Sequence, residues 1–209
     1  MENSHAYRLN ESQAKAQLFA YIKERVRLSE SDEAFIAQRF NLRHIKRKSF
    51  FLKEGDKVFD QAYIVSGTMR VFYTDQKAQE HVLYFGFKDW WVGDLASFQL
   101  GSPSQLNVQA LEDTLILAFN YQGIEEIFSE IPQMERLFRI MAQRTLAVLQ
   151  KRLFLTVSAS AEERYKLLIE KHPIIEQIVP QHQIASYLGI LPESLSRMKK
   201  QMILKSKGN

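Results

Sequence analysis

The chain has 209 residues, 45% hydrophobic and 25% charged, with no cysteine and a formal net charge of +4. Those fractions exclude wholesale disorder, and no apolar run approaches the roughly 18–20 residues of a membrane span. The missing cysteine excludes disulfides, thiol nucleophiles and cysteine-ligated zinc or iron–sulfur centres. The opening Met1-Glu2-Asn3-Ser4-His5 lacks a basic segment followed by an apolar one, so the sequence predicts a cytoplasmic protein without a secretory leader. The positive charge points to an acidic partner, depending on where the basic residues gather.

Ser12 to Arg27 places Ala16, Phe19, Ala20 and Ile22 at helical spacing and predicts a first helix. Ser31, as an N-cap before Ala34, Phe35 and Ile36, predicts a second. From about Asn41 the pattern becomes strand-like. Ser49 to Lys53, Gln61 to Ser66, Met69 to Tyr73, His81 to Phe87, Leu106 to Ala110 and Thr114 to Phe119 are separated by turn residues. Short strands rich in β-branched and aromatic residues predict an antiparallel sandwich or barrel, with the aromatics filling its core.

After Tyr121 the helical period returns. Pro132 suits the first turn of a long helix. Met134, Phe138, Met141, Thr145, Val148, Arg152 and Leu155 form one row along it, and Leu137, Ile140, Leu146, Leu149 and Leu153 a second. A stripe this wide has two faces to bury. The reading is one face on the chain's own barrel and the other on a second copy. Ala159 to Lys171 predicts a further helix, ended before His172-Pro173, and Ile174 to Val179 a short connector.

Gln181 to Lys200 has the pattern of a helix-turn-helix. Ala185 is small where two helices approach, Gly189 accepts a positive φ in the turn, and Pro192 starts the second helix. Ile184, Leu188, Ile190, Leu195 and Met198 supply the apolar contacts. In a major groove, Arg197 can donate twice to guanine and Glu193 can accept from cytosine, with Ser194 beside them. Lys199, Lys200, Lys205 and Lys207 suit phosphates, and Gln181 and His182 suit backbone contact.

This order of parts resembles the catabolite activator / fumarate-nitrate regulator (Crp/Fnr) family of bacterial transcription factors. Phe51-Leu52-Lys53-Glu54-Gly55-Asp56, Tyr63-Ile64-Val65-Ser66-Gly67 and Val92-Gly93-Asp94-Leu95 are similar to its β-roll motifs. Ile184 to Ile190 followed by Pro192 to Arg197 is similar to its DNA-reading unit. The resemblance covers about residues 20–205. It implies an α+β chain with a cyclic-nucleotide-binding-type β-roll, a jelly-roll barrel, over 1–130. A dimerisation helix over 131–158 and a winged-helix-like DNA-binding domain over 159–209 complete it. Double-stranded DNA, a second copy of the chain and RNA polymerase are the implied partners; no membrane is implied.

The pattern departs from the family in three places. The arginine often found before the glutamate is Pro192, so one guanine-reading donor is missing. Few residues follow Met202-Ile203, so the wing is expected to be reduced or absent. The effector pocket implied by the resemblance involves Gly93, Asp94, Leu95, Ser104, Gln105 and Thr145, with Asp94 able to meet a ribose hydroxyl. Ser104-Gln105 stand where cyclic-AMP-binding members carry Arg-Ser, and a buried phosphate without a cation is costly. Cyclic AMP is therefore not expected to bind, and the effector is another small molecule or none.

Two other readings follow from the same residues. One is a ligand sensor acting through a protein partner. The other is a cupin-like metal enzyme, disfavoured because Glu80 and His81 are adjacent on a strand and point to opposite faces. His44 and His81 are the candidate haem ligands and read better as surface or sheet histidines. No nucleophile elbow or phosphate loop is present, so no enzyme activity is expected.

Overall fold

A computed structural model describes residues 9–207. The opening Met1 to His5 segment read for a leader lies outside them, as does the Lys207 side chain. Helix α1 (Glu11–Lys23) is capped by Asn10 and buries Ala14, Leu18 and Ile22. The stripe is thus set at steps of four from Ala14; Ala16 and Ala20, expected to face inward, are exposed. Helix α2 (Glu30–Ala37) starts at Ser29, not Ser31. Ser29 has the acid three residues on, Asp32, that returns a hydrogen bond to its N–H, and Ser31 does not.

Eight strands follow, with one short helix, α3, between them and a second, α4, after the last. They are β1 (Asn41–Ile45), β2 (Phe50–Leu52), β3 (Asp60–Ser66), β4 (Met69–Thr74), β5 (Glu80–Gly86), β6 (Trp91–Val92), helix α3 (Leu95–Leu100), β7 (Asn107–Ala110), β8 (Thr114–Asn120) and helix α4 (Tyr121–Glu130). All pairs are antiparallel, in two four-stranded sheets of order β1-β8-β3-β6 and β2-β7-β4-β5. The inner faces meet through Ala62, Ile64 and Ile116 on one side and Leu52, Met69, Val71 and Val108 on the other.

Strands β3 and β8 are apolar on their outer face too. Tyr63, Val65, Leu115, Leu117 and Phe119 pack on α1, α4 and the start of the long helix α5 (Pro132–Ser158). Burial on both faces explains why these strands read as continuous apolar runs rather than alternating ones. Strand β5 carries a bulge. Val71 pairs with Tyr84 but Phe72 with Val82, leaving Leu83 as the extra residue. The insertion resets the alternation, so Val82 and Phe85 both face outward while Tyr84 turns inward.

The C-terminal unit comprises α6 (Ala161–Lys171), α7 (Ile175–Ile178), α8 (Gln181–Leu188) and α9 (Pro192–Lys207). Ser160 and Glu163 form a capping box at the start of α6. Its core joins the outer face of the second sheet. Phe72, Val82, Phe85 and Leu111 pack with Tyr165, Leu168, Ile184, Ala185, Leu188 and Leu195.

Asp94 fixes the loop between the sheets. It is the N-cap of α3 and only 3% exposed. Its carboxylate accepts from the N–H groups of Ser97 (3.1 Å) and Gln105 (2.9 Å) and from the hydroxyls of Ser97 (2.9 Å) and Ser104 (3.2 Å). Burial opposes its ionisation, but these donors outweigh burial and hold its pKa below the ordinary carboxylate value. The oxygens expected to meet a ribose hydroxyl are thus occupied by the protein itself. Asp94→Ala strands these donors in a buried site and is expected to cost about 2–4 kcal/mol at pH 7. A carboxylate with a lowered folded pKa contributes stability above its unfolded value and loses it as pH falls through the folded one. In urea titrations the gap between parent and variant should therefore narrow below about pH 4.

Candidate functional site

The segment read as a helix-turn-helix forms two helices joined by a tight turn. Helix α8 ends on Gly189 at φ 69°, a left-handed conformation that costs glycine little. The chain then turns through Ile190 and Leu191 into α9, which Pro192 starts. Ala185 is fully buried where the helices meet, and Leu195 is fully buried on the inner face of α9. Met198 and Met202, three and seven residues on, continue that face into the core.

The opposite face of α9 is polar and open. Glu193, Arg197 and Lys200 are exposed at steps of four and three, one stripe along the helix, with Ser194 partly exposed beside its start. Gln181 and His182 are exposed in the first turn of α8. Lys199 is placed differently from the phosphate role expected of it. Its ammonium pairs with Glu176 and lies 5.9 Å from the centre of the Tyr165 ring. The Glu176 carboxylate, though burial opposes its charge, is held below its ordinary pKa by Lys199 and by the Tyr165 hydroxyl. Lys205 stands 3.7 Å from Glu162. The basic residues presented on the reading stripe are thus Arg197 and Lys200. Helix α9 continues to Lys207.

Of the residues expected to form an effector pocket, Asp94, Ser104 and Gln105 are held together by the hydrogen bonds given above. Asp94 is engaged as above, Leu95 is 64% exposed on α3, and Thr145 lies on an exposed stretch of α5. The space beside Gly93 is taken by the Gln61 side chain, and the Tyr84 hydroxyl donates to the Gly93 carbonyl at 3.4 Å. Burial pushes the Tyr84 phenol up to about 12, with the neighbouring Asp94 charge adding to it. Ser104 and Gln105 do line an open cleft of about 800 Å³, together with Glu54, Gly55, Tyr73, Thr74, Ser102, Pro103 and Leu106. None of these is basic, so the cleft offers a phosphate no cation. Sequence reasoning missed Tyr84, because only the Leu83 bulge turns it inward.

Glu80 and His81 serve different partners. Glu80 pairs with the buried Arg70, and His81 bonds Asp75 at 2.9 Å while stacking on Tyr73. Among the described residues no group of three or more histidines and carboxylates is placed to hold a metal, and no helix is long and apolar enough to cross a membrane.

Along α5 the two predicted rows separate by position. Met134 and Leu137 are buried, and Phe138 and Met141 pack on the first sheet's helices. Beyond Met141 the apolar residues stand in the open, with Leu146, Leu149, Leu153 and Phe154 between 52% and 69% exposed.

Comparison with known proteins agrees with this architecture. Residues 42–130 match the Cyclic nucleotide-binding domain. The chain is 25% identical over 169 residues to the Transcriptional activator protein Anr of Pseudomonas protegens, across 75% of this chain and 68% of Anr. Its fold is similar to FixK2 from Bradyrhizobium japonicum, with a TM-score of 0.68 and 16% identity over 80% of this chain and 86% of that one. It is equally similar to CLP, the c-di-GMP-responsive global regulator of Xanthomonas campestris, with a TM-score of 0.68 and 14% identity over 85% and 93%. Residues 42–130 are thus similar to a cyclic nucleotide-binding domain, and the chain as a whole is similar in sequence to Anr and in fold to FixK2 and CLP.

Proposed function

We propose that the chain is a homodimeric, sequence-specific transcription regulator that reads DNA with α9. The observation that carries this is the division of α9 into two faces. Leu195, Met198 and Met202 anchor one, and Glu193, Ser194, Arg197 and Lys200 are presented on the other, at the N-terminal half that enters a major groove. Arg197 donates to a guanine edge, Glu193 accepts from a cytosine, and Lys200, Gln181 and His182 meet the backbone. The protein is a regulator rather than an enzyme, and its further partner is RNA polymerase.

The parts divide the work as a β-roll over 1–130, a dimerisation helix over 131–158 and a DNA-binding unit over 159–209. The exposed row Leu146, Leu149, Leu153 and Phe154 supports the dimer, since a row of this kind on a helix stays unburied in one copy and pairs with itself in two. Two recognition helices about 34 Å apart favour a palindromic site. The effector, where one acts, is not cyclic AMP, because the Asp94 carboxylate is taken up by its own loop, Gln61 occupies the space beside Gly93 and the cleft beyond has no cation.

Arg197→Ala is expected to cost about 1–3 kcal/mol per half-site on the preferred duplex and to leave non-specific binding and the dimer nearly unchanged. Lys200→Ala should instead weaken all duplexes and lower the salt slope by about one per subunit. Fluorescence anisotropy across a salt series separates the two, and undiminished specific affinity in Arg197→Ala removes that residue from the reading role. Calorimetric titration with cyclic AMP is expected to show no binding at micromolar concentrations, and a micromolar isotherm contradicts that part of the proposal.

A further inference from the structure

The contact between α8 and β5 uses groups that neither unit needs for its own fold. Strand β5 is the outer strand of its sheet, so its outward N–H and C=O groups have no ladder partner. Ser186, on α8, stands in for a neighbouring strand. Its Oγ accepts from the Val82 N–H at 3.0 Å and donates to the Glu80 carbonyl at 2.9 Å. One residue further, the Leu83 bulge turns a carbonyl out of the ladder. That carbonyl accepts from the guanidinium of Arg152, which comes from the long helix α5. The same guanidinium donates to the Tyr187 carbonyl of α8 at 3.1 Å and lies 4.4 Å from the centre of the Tyr187 ring.

Three parts of the molecule therefore meet at one planar group: the long helix, the bulge and the first helix of the reading unit. Beneath them Val82 and Phe85 supply an apolar seat for Ile184, Ala185 and Leu188. An apolar seat alone is non-directional and tolerates sliding. Hydrogen bonds to fixed carbonyls are directional, and a guanidinium holding two carbonyls sets an angle as well as a distance.

We infer that Arg152 and Ser186, seated on the bulged edge of β5, are positioning residues for DNA reading. They fix the angle of the helix-turn-helix against the long helix, and thereby the separation of the two recognition helices in a dimer. Neither is among the residues placed on the DNA. The inference rests on the DNA-reading function proposed above, and predicts that the spacing between half-sites, not the sequence of each, depends on this pair.

The test uses the full chain and duplexes built from its selected site. One set keeps the parental spacing, a second adds or removes one or two base pairs between the half-sites, and a third carries a single half-site. Arg152→Ala and Ser186→Ala are expected to lose about tenfold affinity at the parental spacing, because the second half-site is no longer presented at its optimal distance. Both should keep parental affinity for the single half-site and show a flatter dependence on spacing. Ser186→Ala removes one oxygen and gives the same readout if Arg152→Ala does not fold. A spacing profile as steep as the parent's overturns the inference, as does an equal fall on full and half sites. If the parent itself prefers no duplex, the DNA-reading function fails and the inference falls with it. If the parent discriminates and the variants keep its profile, the inference alone fails.

Discussion

Both sheets of this molecule are apolar on their outer faces as well as their inner ones, and the rest of the arrangement depends on that. A two-sheet roll needs only its inner faces to form a core. Here Tyr63, Leu117 and Phe119 cover the outside of the first sheet and call for α1, α4 and the start of α5. Phe72, Val82 and Phe85 do the same for the second and call for the C-terminal helices. The roll thus acts as a central slab with a helical layer on each side, and the long helix runs from one layer to the other. Burying a side chain of this size is worth about 1.5–3 kcal/mol, so several such residues on each outer face outweigh the cost of holding a helical unit in one place.

Three polar side chains inside this frame, Asp94, Tyr84 and Arg70, are engaged by the protein itself. Asp94 spends its carboxylate on four donors from its own loop. Tyr84 donates to the Gly93 carbonyl, and Arg70 is bound by Glu80 and Gln109. What the chain leaves presented is elsewhere: a basic and hydroxyl stripe on α9 and an apolar row on α5. Those two surfaces, one suited to a phosphate backbone and one to a second copy, are what the proposed function uses.

Much of this was legible in the sequence where the determinants are local. Ala185, Gly189 and Pro192 each answer a constraint within a few residues, and the two helices and the turn between them form where they were read. The six strands with dense β-branched or aromatic residues were recovered to within a residue or two. Strand β1 was missed because Arg43 and His44 make it look like a solvated segment, and β6 because two residues carry no period. The start of α2 was misplaced by choosing Ser31 over Ser29, although Asp32 marks the correct serine. Other features were beyond a local reading. The bulge at Leu83 changes which residues face inward, and Ser186 lies 104 residues from the N–H it accepts from. Lys199 reads as a phosphate ligand until Glu176 is found beside it.

The central claim is that α9 reads DNA as one half of a symmetric pair. Selection of bound duplexes from a random pool by the full-length protein tests it most directly. The account predicts enrichment of an inverted repeat whose half-sites lie about one helical turn apart. A pool that yields no enriched sequence, or only a single unrepeated half-site, would contradict it.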